Sequence, residues 1–100
     1  MIRGTTPTHV FNIPIETSTL KEIRITYAQG NEEVFTKTTA DCVLEGKTIK
    51  VSLTQEETLK FSHDKMVSIQ LRVLTTSGKA MATKIEMLDV YDVLNEEVLA

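Results

Sequence analysis

The sequence has one cysteine, Cys42, and no tryptophan. A single thiol cannot close an internal disulfide, so the chain must hold itself together by burial alone, which suits a reducing compartment. The missing pattern of Cys, Trp and Cys excludes a true antibody-type domain. No apolar run approaches the roughly 20 residues that a bilayer span needs. The opening Met1-Ile2-Arg3-Gly4-Thr5-Thr6-Pro7 also has no apolar stretch of the signal-peptide kind, and synthesis in the cytoplasm without membrane insertion is the expectation. Basic charge is short as well: 11 Lys and Arg stand against 14 Asp and Glu, giving a net charge of -3 and a pI near 5.3. The cations are scattered, whereas neutralising phosphates takes a dense basic patch, so no nucleic-acid partner is expected.

Catalytic constellations are lacking too. His9 and His63 are the only histidines, they fall in different connections, and neither has a Cys or carboxylate at a recognised metal-ligand spacing. His63-Asp64 can be read as a base and its orienter, but an exposed polar loop explains the pair equally well. No serine sits in a nucleophile elbow, and no Gly-rich loop opens a helix to cradle phosphate. Glu56-Glu57 and Glu96-Glu97 lack the Asp-rich, Gly-turned loop that gathers oxygens around calcium. Cys42, just before Val43-Leu44, reads as a small buried hydrophobe rather than a reactive thiol. Tyr27, Tyr91, Phe11, Phe35 and Phe61 are too few and too dispersed for an aromatic sugar-binding platform. A non-enzymatic chain with no catalytic residue, no cofactor and no metal is the reading that follows.

What the sequence does have is alternation. Val67, Ile69, Leu71 and Val73 alternate with Ser68, Gln70 and Arg72, the period of a strand with one buried face. Ser77-Gly78 then predicts a turn into a second run from Lys79 to Met87, a β-hairpin that should be the spine of the fold. Upstream, Thr8 to Ile13 predicts a short edge strand stopped by Pro14. Ile23, Ile25 and Tyr27 mark a second strand, ended by the turn Gln29-Gly30-Asn31. Glu32 to Thr38 follows as a third, for which Val34 and Thr36 are taken as the inward side. Cys42 to Leu44 and Thr48 to Leu53 flank Glu45-Gly46 as another hairpin. Thr54-Gln55-Glu56-Glu57 matches a capping box and predicts one helical turn through Leu59, with Leu59 and Phe61 under the sheets.

With 100 residues, 41% hydrophobic and 25% charged, this is one domain, large enough to bury a core without staples. The fold class is all-β, an Ig-like antiparallel β-sandwich of about seven strands with one short helical turn. Its core should hold Ile23, Ile25, Tyr27, Ile49, Val51, Leu53, Val67, Ile69, Leu71 and Val73. Residues 1–7 form an extended N-terminal arm, 8–88 the sandwich and 89–100 a C-terminal extension, either more strand or a short helix. Edge strands and an apolar tail offer groups that a partner can cover. Interaction is therefore the default role.

Four segments carry a family likeness: Arg3-Gly4-Thr5-Thr6-Pro7-Thr8-His9-Val10-Phe11, Ile23-Arg24-Ile25-Thr26-Tyr27-Ala28-Gln29, Leu53-Thr54-Gln55-Glu56-Glu57-Thr58 and Ile69-Gln70-Leu71-Arg72-Val73-Leu74-Thr75. From Arg3 to about Val90 the chain resembles a family of small phage and prophage proteins of Gram-positive (Firmicutes) gut bacteria, in the tail or baseplate gene module. The resemblance implies a virion-associated structural or assembly protein, with other virion proteins or copies of itself as partners. On that reading the arm and tail reach across neighbouring subunits, and the contact residues are Arg3, Thr5, Thr6, Val90, Tyr91, Val93 and Leu94. An alternative is a carbohydrate or cell-surface binding module, by analogy with other sandwiches. A third is a hydrolytic or metal-dependent enzyme, which would need a cleft joining His63, Asp64 and another carboxylate.

Overall fold

The computed structural model describes residues 1–100. Eight strands form two antiparallel sheets, the all-β sandwich that the alternation predicts. β1 (Thr8–Asn12), β4 (Cys42–Glu45) and β5 (Thr48–Ser52) make the smaller sheet, with β5 central. β2 (Leu20–Gln29), β3 (Glu32–Thr38), β6 (Val67–Thr75), β7 (Ala80–Ala82) and β8 (Glu86–Leu88) make the larger one. The order is β3-β2-β6, and β7 and β8 follow one another along the far side of β6. An immunoglobulin constant domain keeps its second strand beside the first and fifth. Here β2 lies in the opposite sheet, between β3 and β6.

The interior follows from period two. Ile23, Ile25 and Tyr27 of β2 and Val67, Ile69, Leu71 and Val73 of β6 point to one face, against Ile49 and Val51 of β5 and Leu53 beyond it. All ten expected core residues are buried, and Phe61 and Val90 complete the cluster of 12. Burial of such side chains stabilises by about 1.5–3 kcal/mol each. Gly30 and Asn31 both have positive φ, 55° and 67°. That backbone gives a two-residue turn whose twist matches that of the flanking strands, so β2 and β3 pair directly.

Two parts of the larger sheet differ from the sequence expectation. The ladder runs Tyr27 opposite Phe35, then Ala28 opposite Glu33, leaving Val34 as the extra residue of a bulge. Phe35 therefore lies inward, its ring 4.9 Å from Tyr27 and 5.4 Å from Phe61, while Val34 also packs against the core. Thr36 faces outward, its hydroxyl 3.1 Å from that of Thr26. The predicted run Lys79 to Met87 is likewise broken. Between the Arg72–Ala82 and Ile69–Glu86 pairs the outer strand carries one residue too many. Thr83 fills the gap: its amide donates to the Leu71 carbonyl at 2.9 Å and its hydroxyl oxygen accepts from the Leu71 amide at 3.1 Å.

The capping box stands as expected at the start of α1 (Gln55–Leu59). The Glu57 amide donates to Thr54 Oγ1 at 3.2 Å, and Glu57 Oε1 accepts from the Thr54 amide at 2.8 Å. Phe61 is buried, but Leu59 is only half-buried, and Thr58 is the helical residue with no exposure at all. Its hydroxyl donates to the Thr5 carbonyl at 2.8 Å, which ties the helix to the N-terminal segment. No helix is long and apolar enough to cross a membrane.

Candidate interaction surface

The two terminal segments lie on their own domain. The Tyr91 amide donates to the Met1 carbonyl at 2.8 Å and the Arg3 amide to the Tyr91 carbonyl at 3.0 Å, a short parallel bridge about Ile2 and Tyr91. Gly4 turns the chain there with φ of 76°. A side chain at this position would be strained by that φ and would meet Leu59 at 3.4 Å. The expected extended arm is thus a folded turn, because its backbone finds partners on residues 89–91 instead of projecting outward.

Arg3 is the centre of this clasp. Its Nε donates to the Phe61 carbonyl at 2.7 Å and its Nη2 to the Leu59 carbonyl at 3.0 Å. These carbonyls lie at and just beyond the end of α1, where no intrahelical partner is available. Its Nη1 meets Asp92 at 2.7 Å and Glu96 at 2.6 Å. Arg3 holds Asp92 below the usual carboxylate range, helped by the Val93 amide. Further along, Gln55 and Leu99 exchange two hydrogen bonds, of 3.0 and 2.8 Å. The tail therefore runs back along the helix as irregular chain, neither strand nor helix.

The seven expected partner contacts separate on this geometry. Val90 is 6% exposed and belongs to the core, so it is not available to a partner. Arg3 is spent on its own chain, its side chain 12% exposed. Thr5 is exposed, but its hydroxyl donates to the Ile2 carbonyl at 2.5 Å. Val93 is half-buried near Gly4, and Thr6 is exposed. Tyr91 and Leu94 do face solvent, at 59% and 108% exposure, and Ile2 and Leu99 join them. No protein-family model, curated protein or solved structure matches the chain.

His63 and Asp64 do not act together. Asp64 accepts from the Ser62 hydroxyl, whereas His63 Nδ1 lies 3.5 Å from Asp92. A different polar group lies between the sheets. Tyr27 is fully buried, with its hydroxyl 2.6 Å from His9 Nδ1. Burial raises the Tyr27 phenol far above its ordinary range, and burial, then the amino terminus, lowers His9. A neutral imidazole beside a protonated phenol satisfies both groups without a buried charge. Cys42 donates to the Thr38 carbonyl at 3.3 Å, and burial pushes its thiol up, the direction of an unreactive cysteine. Nearby Lys37 pairs with Glu57. No buried side-chain nitrogen or oxygen lacks a partner, and no three His, Cys, Asp or Glu side chains gather as a metal site would need.

Sequence reading missed Gln29, which is buried and donates to the Ser62 and Lys65 carbonyls at 2.8 and 3.0 Å while accepting from the Ser62 amide at 2.9 Å. The signal was there: Gln29 continues the inward odd-numbered series of Ile23, Ile25 and Tyr27. Of the aromatic residues, only Tyr91 is exposed.

Proposed function

We propose that this chain is a non-enzymatic structural or assembly protein acting through protein–protein contact, in the role that its resemblance to phage tail and baseplate proteins implies. The observation that carries this reading is the set of apolar side chains left in solvent on the two clasped terminal segments, above all Leu94. A tail fixed to the helix by Gln55 and to Arg3 by Asp92 and Glu96 presents those side chains with little ordering left to do on binding. Tyr91 and Leu94 are the contact residues, Ile2 and Leu99 support them, and Arg3 positions the surface rather than touching the partner.

The test uses the full chain and the variant Leu94→Lys, which removes no internal contact of a fully exposed side chain. Each is followed by light scattering over a concentration series and by co-sedimentation with tail particles from an induced lysogen of a Gram-positive host. The wild type should associate in at least one format, and Leu94→Lys should weaken that association tenfold or more with an unchanged melting curve. Equal association of the two proteins, or no association of the wild type in either format, would overturn the reading.

A further inference from the structure

A strand at the edge of a sheet leaves a row of backbone amides and carbonyls unpaired, and natural edges are blunted by charge, bulges or shortness. Three edges of this molecule are blunted in those ways. β3 carries Glu32, Glu33 and Lys37 and the bulge at Val34. β7 and β8 have three residues each and are separated at Thr83. β4 has four residues, preceded by Asp41 and ending in Glu45. β1 has none of these devices: its five residues, Thr8–Asn12, include no Asp, Glu, Lys, Arg or Pro, and its ladder with β5 runs without a shift.

The free groups of β1 follow from that one ladder. The Ile13 amide donates to the Lys47 carbonyl at 2.9 Å, and the Leu53 amide to the Pro7 carbonyl at 3.0 Å. Opposite residues of an antiparallel pair alternate between bonded and non-bonded. His9 and Phe11 therefore bond to β5, while Thr8, Val10 and Asn12 aim their amides and carbonyls away from it. No strand lies on that side, and Thr8 and Asn12 make their other bonds through their side chains, back to β5. The same three residues are exposed on the outer face, Val10 at 52%, while His9 turns inward to the Tyr27 hydroxyl.

We infer that β1 pairs antiparallel with β1 of a second copy of this chain, about a two-fold axis at Val10. In that register Val10 faces its own copy and Thr8 faces Asn12. Every one of these pairs is of the mutually bonded kind, so the free amides and carbonyls of both edges are used with none left over. The strand is its own complement: an exposed apolar side chain lies at its centre, a short polar one stands at either end, and no like charges come opposite. Lys50, opposite Val10 on β5, stays within its own sheet and pairs with Glu45. The two three-stranded sheets become one, and the two-fold axis closes the contact at two copies. A five-residue pairing is small beside the roughly 1,200–2,000 Å² of a stable interface, so the contact is weak and exchanging. The inference goes beyond the assembly reading and uses residues separate from Tyr91 and Leu94.

Disulfide trapping reads such a contact. Bonded residues across an antiparallel pair have Cα atoms about 5.5 Å apart, within disulfide reach. Full-length V10C, V43C and the wild type, whose one thiol is Cys42, are treated with a mild oxidant at equal concentration and followed by non-reducing electrophoresis. V10C should form a linked dimer at least tenfold faster than V43C, whose site is comparably exposed on the far strand of the same sheet. Adding T8K and N12K to V10C sets lysines opposite one another and should slow linking tenfold, with native circular dichroism. Adding T8K and N12E makes the same positions complementary and should restore it. Equal rates for V10C and V43C, lysines without effect, or no restoration by T8K/N12E would each overturn the inference. L94K separates the two surfaces: V10C/L94K should link as fast as V10C. If L94K abolishes linking, the terminal surface is what brings the copies together, and the β1 contact is overturned while the assembly reading stands.

Discussion

Arg3 shows how much of the terminal architecture depends on one side chain. Four of its donations leave the guanidinium: two to carbonyls of the Leu59–Phe61 segment and two to carboxylates of the tail. Truncation strips partners from part-buried carbonyls, which costs more than the bonds' net value because the acceptors are left dry. Arg3→Ala should lose about 2–3 kcal/mol in urea unfolding, read as a lower midpoint at constant slope. Arg3→Lys should recover little of this, because a compact ammonium cannot reach four acceptors in a planar fork. A lysine variant as stable as the wild type would mean that charge alone matters here. Tyr27 makes a smaller but sharper case. Its ring has no exposure, and its hydroxyl serves only His9. Tyr27→Phe keeps the packing and removes that bond, so about 1 kcal/mol should be lost; Tyr27→Ala, which empties the core, should cost several-fold more.

Among the elements, α1 is too short to stand by itself and is held by its ends. Thr54 caps it, Arg3 closes it, and Glu57 reaches both the Thr54 amide and Lys37 of β3. Thr54→Ala should cost about 1 kcal/mol, measured by thermal or urea unfolding. Glu57 adds a pH dependence whose sign is fixed. Burial pushes its carboxyl up, but the Lys37 bond, the Thr54 amide and the charge of Lys37 together hold it below its ordinary 4.5. A carboxylate depressed in the folded state contributes stability that is fully present above its unfolded pKa and is lost as pH falls through the folded one. Glu57→Gln should therefore be less stable at neutral pH, and the two stability curves should converge on acidification below about pH 4. Parallel curves down to acid would show that Glu57 contributes nothing through its charge. The elements also show where sequence was readable. Alternation placed β2, β5 and β6 and their inward residues, because a sandwich core imposes period two on every central strand. It failed at β3, where the Val34 bulge exchanges faces and puts Phe35 inside, and at Thr83, where a side chain replaces a ladder partner. Neither device leaves a mark on hydrophobic period. Equally hidden was the placing of Arg24 opposite Arg72, 48 positions away, which only the register of β2 and β6 brings about.

At the scale of the whole molecule, 47 × 30 × 17 Å in extent, the domain does not end where the sequence pattern fades. A boundary at residue 88 looks natural from sequence, since the apolar residues beyond it have no clear period. The structure carries the core across it: Val90 is buried with the strands, and Met1, Arg3 and Gln55 bind residues 89–99. Arm and tail are thus packed into the same folded unit, and the proposed contact surface would be an outcome of folding rather than an appendage to it. Two truncations separate these ideas. Removing residues 95–100 takes away Glu96 and the Leu99 bonds, all exposed, and should cost about 1 kcal/mol or less. Removing 89–100 also takes Val90 from the core and leaves Arg3 with neither of its carboxylates. A cavity of that size and the lost clasp should together cost about 3–5 kcal/mol, enough to threaten a domain whose total stability is about 5–15 kcal/mol. Denaturant unfolding of the two truncated chains reads the difference directly. If the longer truncation unfolds at the same midpoint as the shorter, the tail is a detachable extension after all, and the domain ends at residue 88.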